Sequence, residues 1–280
     1  MKQKIALCLF GGFASSKPET KIKKIYNPFE SFKSFNSNII LEYNPDIFLH
    51  TWNTKFNDKL IKLYKPKKYK IENQIKFNVN IKDYNLNFLE FYNNIEDLLN
   101  RNINVKDEYN NLIFRTHSRW YSQSMSLRLM NSFSKINKIK YDFVIQARFD
   151  LFLNKKLDLS KLNINMLHLV NAQHLQKQNQ LYDIFFVSNQ KTSLLFSDIF
   201  KNLKKYPIDS THLLPIFLEK NRIKYNNSFK FKDIILKRYY DQYIDLNTFS
   251  YLKLKVKGII IKFLKILIKS LKKLSNFLST

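Results

Sequence analysis

The sequence predicts an α/β domain over residues 1 to about 240, built on a mixed, largely parallel central sheet, with a separate basic segment at 251–280. Three observations predict it. Apolar runs of strand length lie at 3–9, 46–50, 143–148 and 183–187, and they alternate with stretches of helical spacing, the order that places helices against a sheet. Of the 280 residues, 45% are hydrophobic, enough for one sizeable core and too many for a disordered chain. From Tyr251 to Thr280 there are eight lysines and no Asp, Glu or Arg, so this segment differs from everything before it.

The first element, KIALCLFGG, reads as a buried strand running into a tight turn. Gly11 and Gly12 are two of only three glycines in the chain, so their pairing at a strand end is informative. Glycine permits positive φ and close approach to the backbone, and nucleotide-binding α/β folds place a phosphate or ribose at such a turn. The full dinucleotide fingerprint GxGxxG is missing, which argues against a nicotinamide or flavin enzyme. Asn27 to Asn38 reads as a helix with Pro28 early and Phe29, Phe32 and Phe35 three apart. Asp46 to His50 is a second strand, ending in the cluster His50, Thr51, Trp52 and Asn53. Residues 54–110 alternate short helical and strand-like patches with lysine-rich loops and show no chemistry. A long helix is expected over Arg115–Ile139, a central strand over Phe143–Ala147, further strands at 166–170 and 182–188, and helices at Gln190–Lys204 and Asp209–Asn221.

The chemistry concentrates at Arg148-Phe149-Asp150, where a strand ends. In open α/β sheets, ligands bind outside the carboxyl ends of the strands. Residues two apart on an extended chain point to the same side, so Arg148 and Asp150 would share one face. In a cleft they could grip a diphosphate and its metal; the alternative is an Arg–Asp pair that locks the strand end. Cys8, the single cysteine, lies in an apolar run and reads as a buried thiol. His117, His168 and His174 lack metal-ligand spacing and read as structural.

The segment YDFVIQARFDLFL resembles the YD-x-V-I-x-x-R-x-D-L segment of bacterial glycosyltransferases of the GT-A fold, in particular the WavE-like and capsule-locus sugar transferases. In those proteins a helix with a Gln and a Ser often precedes the segment; here Tyr121, Ser122, Gln123 and Ser124 occupy it. DIFLHTWN resembles their D-x-F-I-H-T-W segment, and DIFFVSN resembles a strand that forms part of the donor or acceptor floor. The resemblance covers roughly residues 1–235. It implies a GT-A-like, Rossmann-like fold, a nucleotide-sugar donor, and a saccharide acceptor such as a capsular polysaccharide, a lipopolysaccharide or a lipid-linked sugar. Many GT-A members carry a metal-binding DXD here, whereas this chain has Arg148 in the first place and Asp150 in the second. Asp150 with water could hold Mg²⁺ or Mn²⁺, or Arg148 could neutralise the diphosphate directly with no metal.

Glycosyl transfer passes through an oxocarbenium-like state as a nucleoside diphosphate departs. Positive charge for the diphosphate falls to Arg148, with Arg119 second. Asp183 is the first candidate for the sugar or base role; Asp209 and His212 are the alternatives, although Asp209 also suits a helix N-cap. Gly11, Gly12, His50, Trp52, Arg119, Gln123, Arg148 and Asp150 complete the expected nucleotide-sugar site, with His50 and Trp52 equally compatible with packing at a strand end.

The formal net charge of +26 is carried mostly by lysine, beside abundant Asn, Ile, Phe and Tyr, as an AT-rich coding sequence produces. Part of it therefore reads as solvated surface, and the rest favours anionic partners. No helix-turn-helix, RNP aromatic motif or zinc module is present, so no specific nucleic acid is expected. The run Ile5–Phe10 is too short for a secretory signal, so a cytoplasmic protein is expected. In the tail, Lys262, Lys265, Lys269, Lys272 and Lys273 fall in one sector of a helical wheel, and Ile260, Phe263, Leu264, Leu267, Ile268, Leu271, Leu274 and Leu278 fill the rest. A lysine every three or four residues argues against a spanning helix and for one lying on an anionic membrane surface, at the inner face of the cytoplasmic membrane. A helix covering an apolar patch of the body, or a dimer contact, is the alternative. The competing classes for the whole chain are a non-enzymatic basic membrane-binding protein and a transferase of another activated group onto capsule sugars.

Overall fold

The computed structural model describes residues 3–12, 28–54, 56–77, 105–171, 181–207 and 210–236. All belong to one compact unit, Met1–Lys17 with Asn27–Leu236. The expected helix at 251–280 lies outside the described residues.

Nine strands are described: β1 Ile5–Phe10, β2 Asp46–Trp52, β3 Lys68–Glu72, β4 Phe143–Arg148, β5 Leu151–Leu153, β6 Leu167–Asn171, β7 Phe185–Ser188, β8 Tyr225–Lys230 and β9 Ile234–Leu236. Seven form the central sheet in the order β3-β2-β1-β4-β7-β6-β8, and β5 pairs with β9 in a small antiparallel sheet. The sheet is mixed and largely parallel, as expected: only β7 runs against its neighbours β4 and β6. The 3–9 and 143–148 segments, distant in sequence, pair directly, with Phe10 opposite Arg148.

Both faces of the sheet are covered, which is why β1 and β4 read as continuous apolar runs. Ile5, Leu7 and Leu9 of β1 and Phe143, Ile145 and Ala147 of β4 pack on one side with Phe35, Ile39, Leu60 and Tyr64. These last four come from α1 (Pro28–Phe35), its π-helical continuation Asn36–Ile40, and α3 (Asn57–Tyr64); a short α2 (Leu41–Tyr43) ends the first helical stretch. On the other side Ala6, Cys8, Phe48 and Val144 meet Trp120, Leu127 and Met130 of the long helix α4 (Val105–Ile136). Burial raises the Cys8 thiol pKa well above its ordinary value, in keeping with a buried, unreactive group. His117 bonds the Ile113 carbonyl, and His168 is held by Ser228 and the Asn163 carbonyl, so both have local partners.

The structure departs from the sequence reading in two places. The long helix begins ten residues before Arg115, through a polar stretch whose periodicity carries no signal, and ends at Ile136 because Lys138 takes the left-handed conformation, φ 52. The helix expected over Gln190–Lys204 is α5 only from Gln190 to Leu195, and continues as 3-10 turns at Phe196–Asp198 and Phe200–Lys205. The tighter turn keeps Phe196 and Ile199, three apart, on the buried side. The last helix, α6, spans Ser210–Lys220, inside the expected range. Among the described residues no helix is long and apolar enough to cross a membrane.

A hydrogen-bond chain pins α4 to the carboxyl ends of β1, β2 and β3. Gly11 N donates to Ser122 Oγ at 2.7 Å, and Ser122 Oγ lies 2.7 Å from His50 Nδ1. His50 Nε2 meets Glu72 Oε1 at 2.8 Å, where Tyr121 also donates at 2.8 Å, and Lys70 Nζ sits 2.7 Å from Glu72 Oε2. An ionised carboxylate only accepts, so His50 carries its proton on Nε2, and Nδ1 accepts from Ser122. Burial lowers the His50 pKa, against the pull of Glu72. Burial also works against the Glu72 charge, but Lys70, His50 and Tyr121 outweigh it and bring its pKa from an ordinary 4.5 to about 2.

The sign follows from that depression. Glu72 contributes stability fully above about 4.5, and the contribution is lost as pH falls towards about 2. Replacing Glu72 with Gln should cost about 2 kcal/mol at neutral pH and flatten the acid limb of a Tm-versus-pH curve relative to wild type. Parallel acid limbs for the two proteins would show that the carboxylate is not the titrating link.

Candidate active site

Chain order reverses between β1 and β4: β2 and β3 lie on one side of β1, β4 and β7 on the other. A crevice opens outside the carboxyl ends of the strands at such a switch point, and ligands bind there. Gly11 leaves β1 at this place with φ 95, a conformation L side chains rarely adopt. Among the described residues an added Cβ at Gly11 or Gly12 would meet nothing within 4 Å. Across from it, Phe149 N donates to Phe10 O at 3.3 Å, holding the Arg148–Asp150 segment beside the glycine turn.

Arg148 and Asp150 do face the same side. Arg148 Nε and Nη2 donate to the two Asp150 oxygens at 2.9 and 2.6 Å, a bidentate fork. Burial disfavours the Arg148 charge, but Asp150 and then Asp183 more than compensate and raise its pKa above the ordinary value. Asp183 reaches the same edge by an unexpected route. It precedes β7, which runs antiparallel to β4, so the amino end of β7 lies at the carboxyl end of β4; Arg148 N donates to Ile184 O at 3.4 Å. The Asp183 carboxylate lies 2.5 Å from Arg119 Nε, and its backbone carbonyl accepts from Arg119 Nη2.

Arg119 is held on all sides. Nη1 donates to Gln123 Oε1 at 2.7 Å, Gln123 Nε2 donates to Gln146 Oε1 at 2.5 Å, and the guanidinium carbon lies 3.6 Å from the Trp120 ring centroid. Burial and then the repulsion of Arg148, opposed by Asp183, bring its pKa down to about 10, so it stays cationic at neutral pH. Its side chain is 9% exposed against 23% for Arg148, so Arg148 is the arginine a ligand can reach.

The structure therefore brings Gly11, Gly12, Arg119, Arg148, Asp150 and Asp183 to one edge. Gln123 is fully buried and reaches the site only through Arg119. His50 is also fully buried, and Trp52 stacks on Tyr121 with ring centroids 5.7 Å apart; both line the β2 side as parts of the Glu72 network. His212 lies in the first turn of α6, next to Thr211, whose carbonyl accepts from the backbone N–H of Leu181, two residues before Asp183. Asp209 lies outside the described residues. Sequence reasoning missed Lys70, Glu72 and Gln146. Gln146 carried a signal, a lone amide inside the apolar run FVIQA; the alternation of Lys68, Lys70 and Glu72 on an edge strand was the only sign of the others.

Asp150, the carboxylate expected to hold a divalent cation, is engaged by an arginine. Both Asp150 oxygens are taken by Arg148, Asp183 is taken by Arg119, and among the described residues no group of three His, Cys, Asp or Glu could hold a metal ion. Each Asp150 oxygen keeps a second lone pair, so Mg²⁺ or Mn²⁺ there would share the carboxylate with the Arg148 guanidinium.

No protein-family model and no curated protein sequence matches the chain. Among solved structures, the chain is similar to the bifunctional glycosyltransferase WbbM at 11% identity and a TM-score of 0.38, over 80% of this chain and 38% of that one. It is similar to the glycosyltransferase GlyE of Streptococcus pneumoniae at 9% identity and a TM-score of 0.34, over 83% of this chain and 46% of that one. A nucleoside-diphosphate-sugar pyrophosphorylase from Vibrio cholerae is similar at 10% identity and a TM-score of 0.38, over 86% of this chain and 98% of that one. The chain thus spans less than half the length of the first two.

Proposed function

We propose that the chain is a glycosyltransferase that moves a sugar from a nucleotide-sugar donor to a saccharide acceptor. The observation that carries this reading is the gathering of two arginines and two carboxylates beside the glycine turn, at the strand-order switch point of an α/β sheet. Glycosyl transfer needs positive charge where the nucleoside diphosphate departs and a carboxylate near the acceptor hydroxyl. Arg148, half-buried at the rim, supplies the charge with its planar fork. The Gly11–Gly12 backbone lets the diphosphate approach closely. Asp183 takes the sugar or base role, oriented by Arg119, with His212 and Asp209 as the other candidates. Asp150, once clear of Arg148, is the carboxylate that would hold Mg²⁺ or Mn²⁺, whose charge would help to offset the departing diphosphate.

The acceptor we infer is a bacterial capsular polysaccharide, a lipopolysaccharide or a lipid-linked saccharide. The support is the segment resemblance around Arg148 and Asp150, together with the lysine-sectored tail at 251–280. Buried apolar side chains and about 1 kcal/mol for each lysine near anionic lipid would hold that tail at the inner face of the cytoplasmic membrane. A site beside the membrane then meets a lipid-linked acceptor at high effective concentration.

A panel of nucleotide sugars tested by thermal shift should stabilise the chain with one nucleotide class, and Arg148→Gln should remove that stabilisation; a panel with no stabilising member would reject the donor reading. With the active donor, Asp150→Asn should lose transfer at least a hundredfold while its circular dichroism stays that of wild type, and full activity would count against the site. On anionic vesicles the full chain should float and a version ending at Leu252 should not, whereas equal flotation of both would remove the tail as anchor.

A further inference from the structure

We propose that Asp150 is an internal stand-in for the donor diphosphate: it occupies the Arg148 fork in the donor-free protein and must leave it when the diphosphate binds. This rests on the glycosyltransferase reading and adds how the same site is regulated.

The argument begins with chemistry. A carboxylate and a phosphate present the same two-oxygen edge to a guanidinium, and arginine binds both bidentately. Arg148 gives Nε and Nη2 to Asp150, the two nitrogens of one fork edge, and keeps Nη1 outside the pair. A ligand phosphate seeking the same bidentate grip meets an edge already filled by an anion. Arg119 offers no alternative, because Nη1 and Nη2 donate to Gln123 and Asp183, Nε is buried beside the Asp183 carboxylate, and its face lies against Trp120.

Charge balance points the same way. The cluster holds two arginines and two aspartates and is formally neutral. A diphosphate added to a neutral, largely buried cluster is an uncompensated anion, which a low-dielectric setting penalises. Releasing Asp150 from Arg148 frees one positive charge for the ligand and turns one carboxylate outwards. Asp150 is the residue placed to do this. It sits just beyond the end of β4, in a turn before β5, whereas Asp183 is tied to Arg119 through both its side chain and its backbone. The exchange keeps the Arg148 charge paired throughout and confines diphosphate binding to ligands that outcompete an intramolecular carboxylate.

Inorganic pyrophosphate is the probe, measured by isothermal titration with the full chain. Arg148→Lys, which keeps the charge but not the fork, should bind at least tenfold more weakly. Asp150→Asn should bind about tenfold more tightly, since the competitor is gone. Weaker or unchanged binding by Asp150→Asn, with the loss at Arg148→Lys intact, overturns the exchange and leaves the arginine fork standing. No binding by wild type or by Asp150→Asn overturns the diphosphate site itself. The wild-type chain gives a readout that does not depend on variants folding: the carboxyl carbon-13 resonance of Asp150 should shift as pyrophosphate saturates. Constancy of that resonance while pyrophosphate binds overturns the proposal.

Discussion

Charge gathered below the surface at the end of β4 survives only if it cancels, because an unpaired buried ion costs several kcal/mol while a paired and hydrogen-bonded one is tolerated. Much of the structure around the site answers to this constraint. Arg148 finds Asp150 on its own strand end, and Arg119 finds Asp183 across from α4. The arrangement requires the amino end of β7 to sit where the other strands have their carboxyl ends, which only a reversed strand provides. The single antiparallel member of the central sheet is thus also the one that delivers a carboxylate to the site.

A supporting layer holds the arginine. Arginine can only donate, so Gln123 must turn its carbonyl oxygen to Arg119 and its amide to Gln146. Among the described residues Gln146 Nε2 is then left buried without a hydrogen-bond partner, a cost that an apolar residue in the middle of β4 would avoid. The buried amides add to the hold that Asp183 and Trp120 already have on Arg119.

On the other side of the glycine turn, Ser122, His50 and Glu72 line up as a hydroxyl, an imidazole and a carboxylate. The order is that of a nucleophile with its base and orienting acid. The environment denies it that role: Ser122 is fully buried, its oxygen accepts the Gly11 N–H, and His50 is enclosed with it. The chain of bonds is instead a brace, tying the position of Gly11 to Glu72 at the sheet edge.

The strands β1, β2, β4 and β7 and the tight glycine turn were legible because each follows from local periodicity or from a residue's own conformational range, whereas Arg148 and Asp150 share a side through the turn after β4 and their ion pair. Lys70 and Glu72 were not legible, because an edge strand of alternating lysines looks like loop when its partners are unknown. Nor could the sequence say that Gln123 lies beneath Arg119 rather than in the cleft. By itself the sequence determined the class of fold, the strand end where Arg148 and Asp150 meet and the distinct character of the lysine tail. The tertiary structure alone decided which charges neutralise which, because pairing across α4, β4 and β7 joins residues distant in sequence, and no local pattern records the direction in which β7 runs.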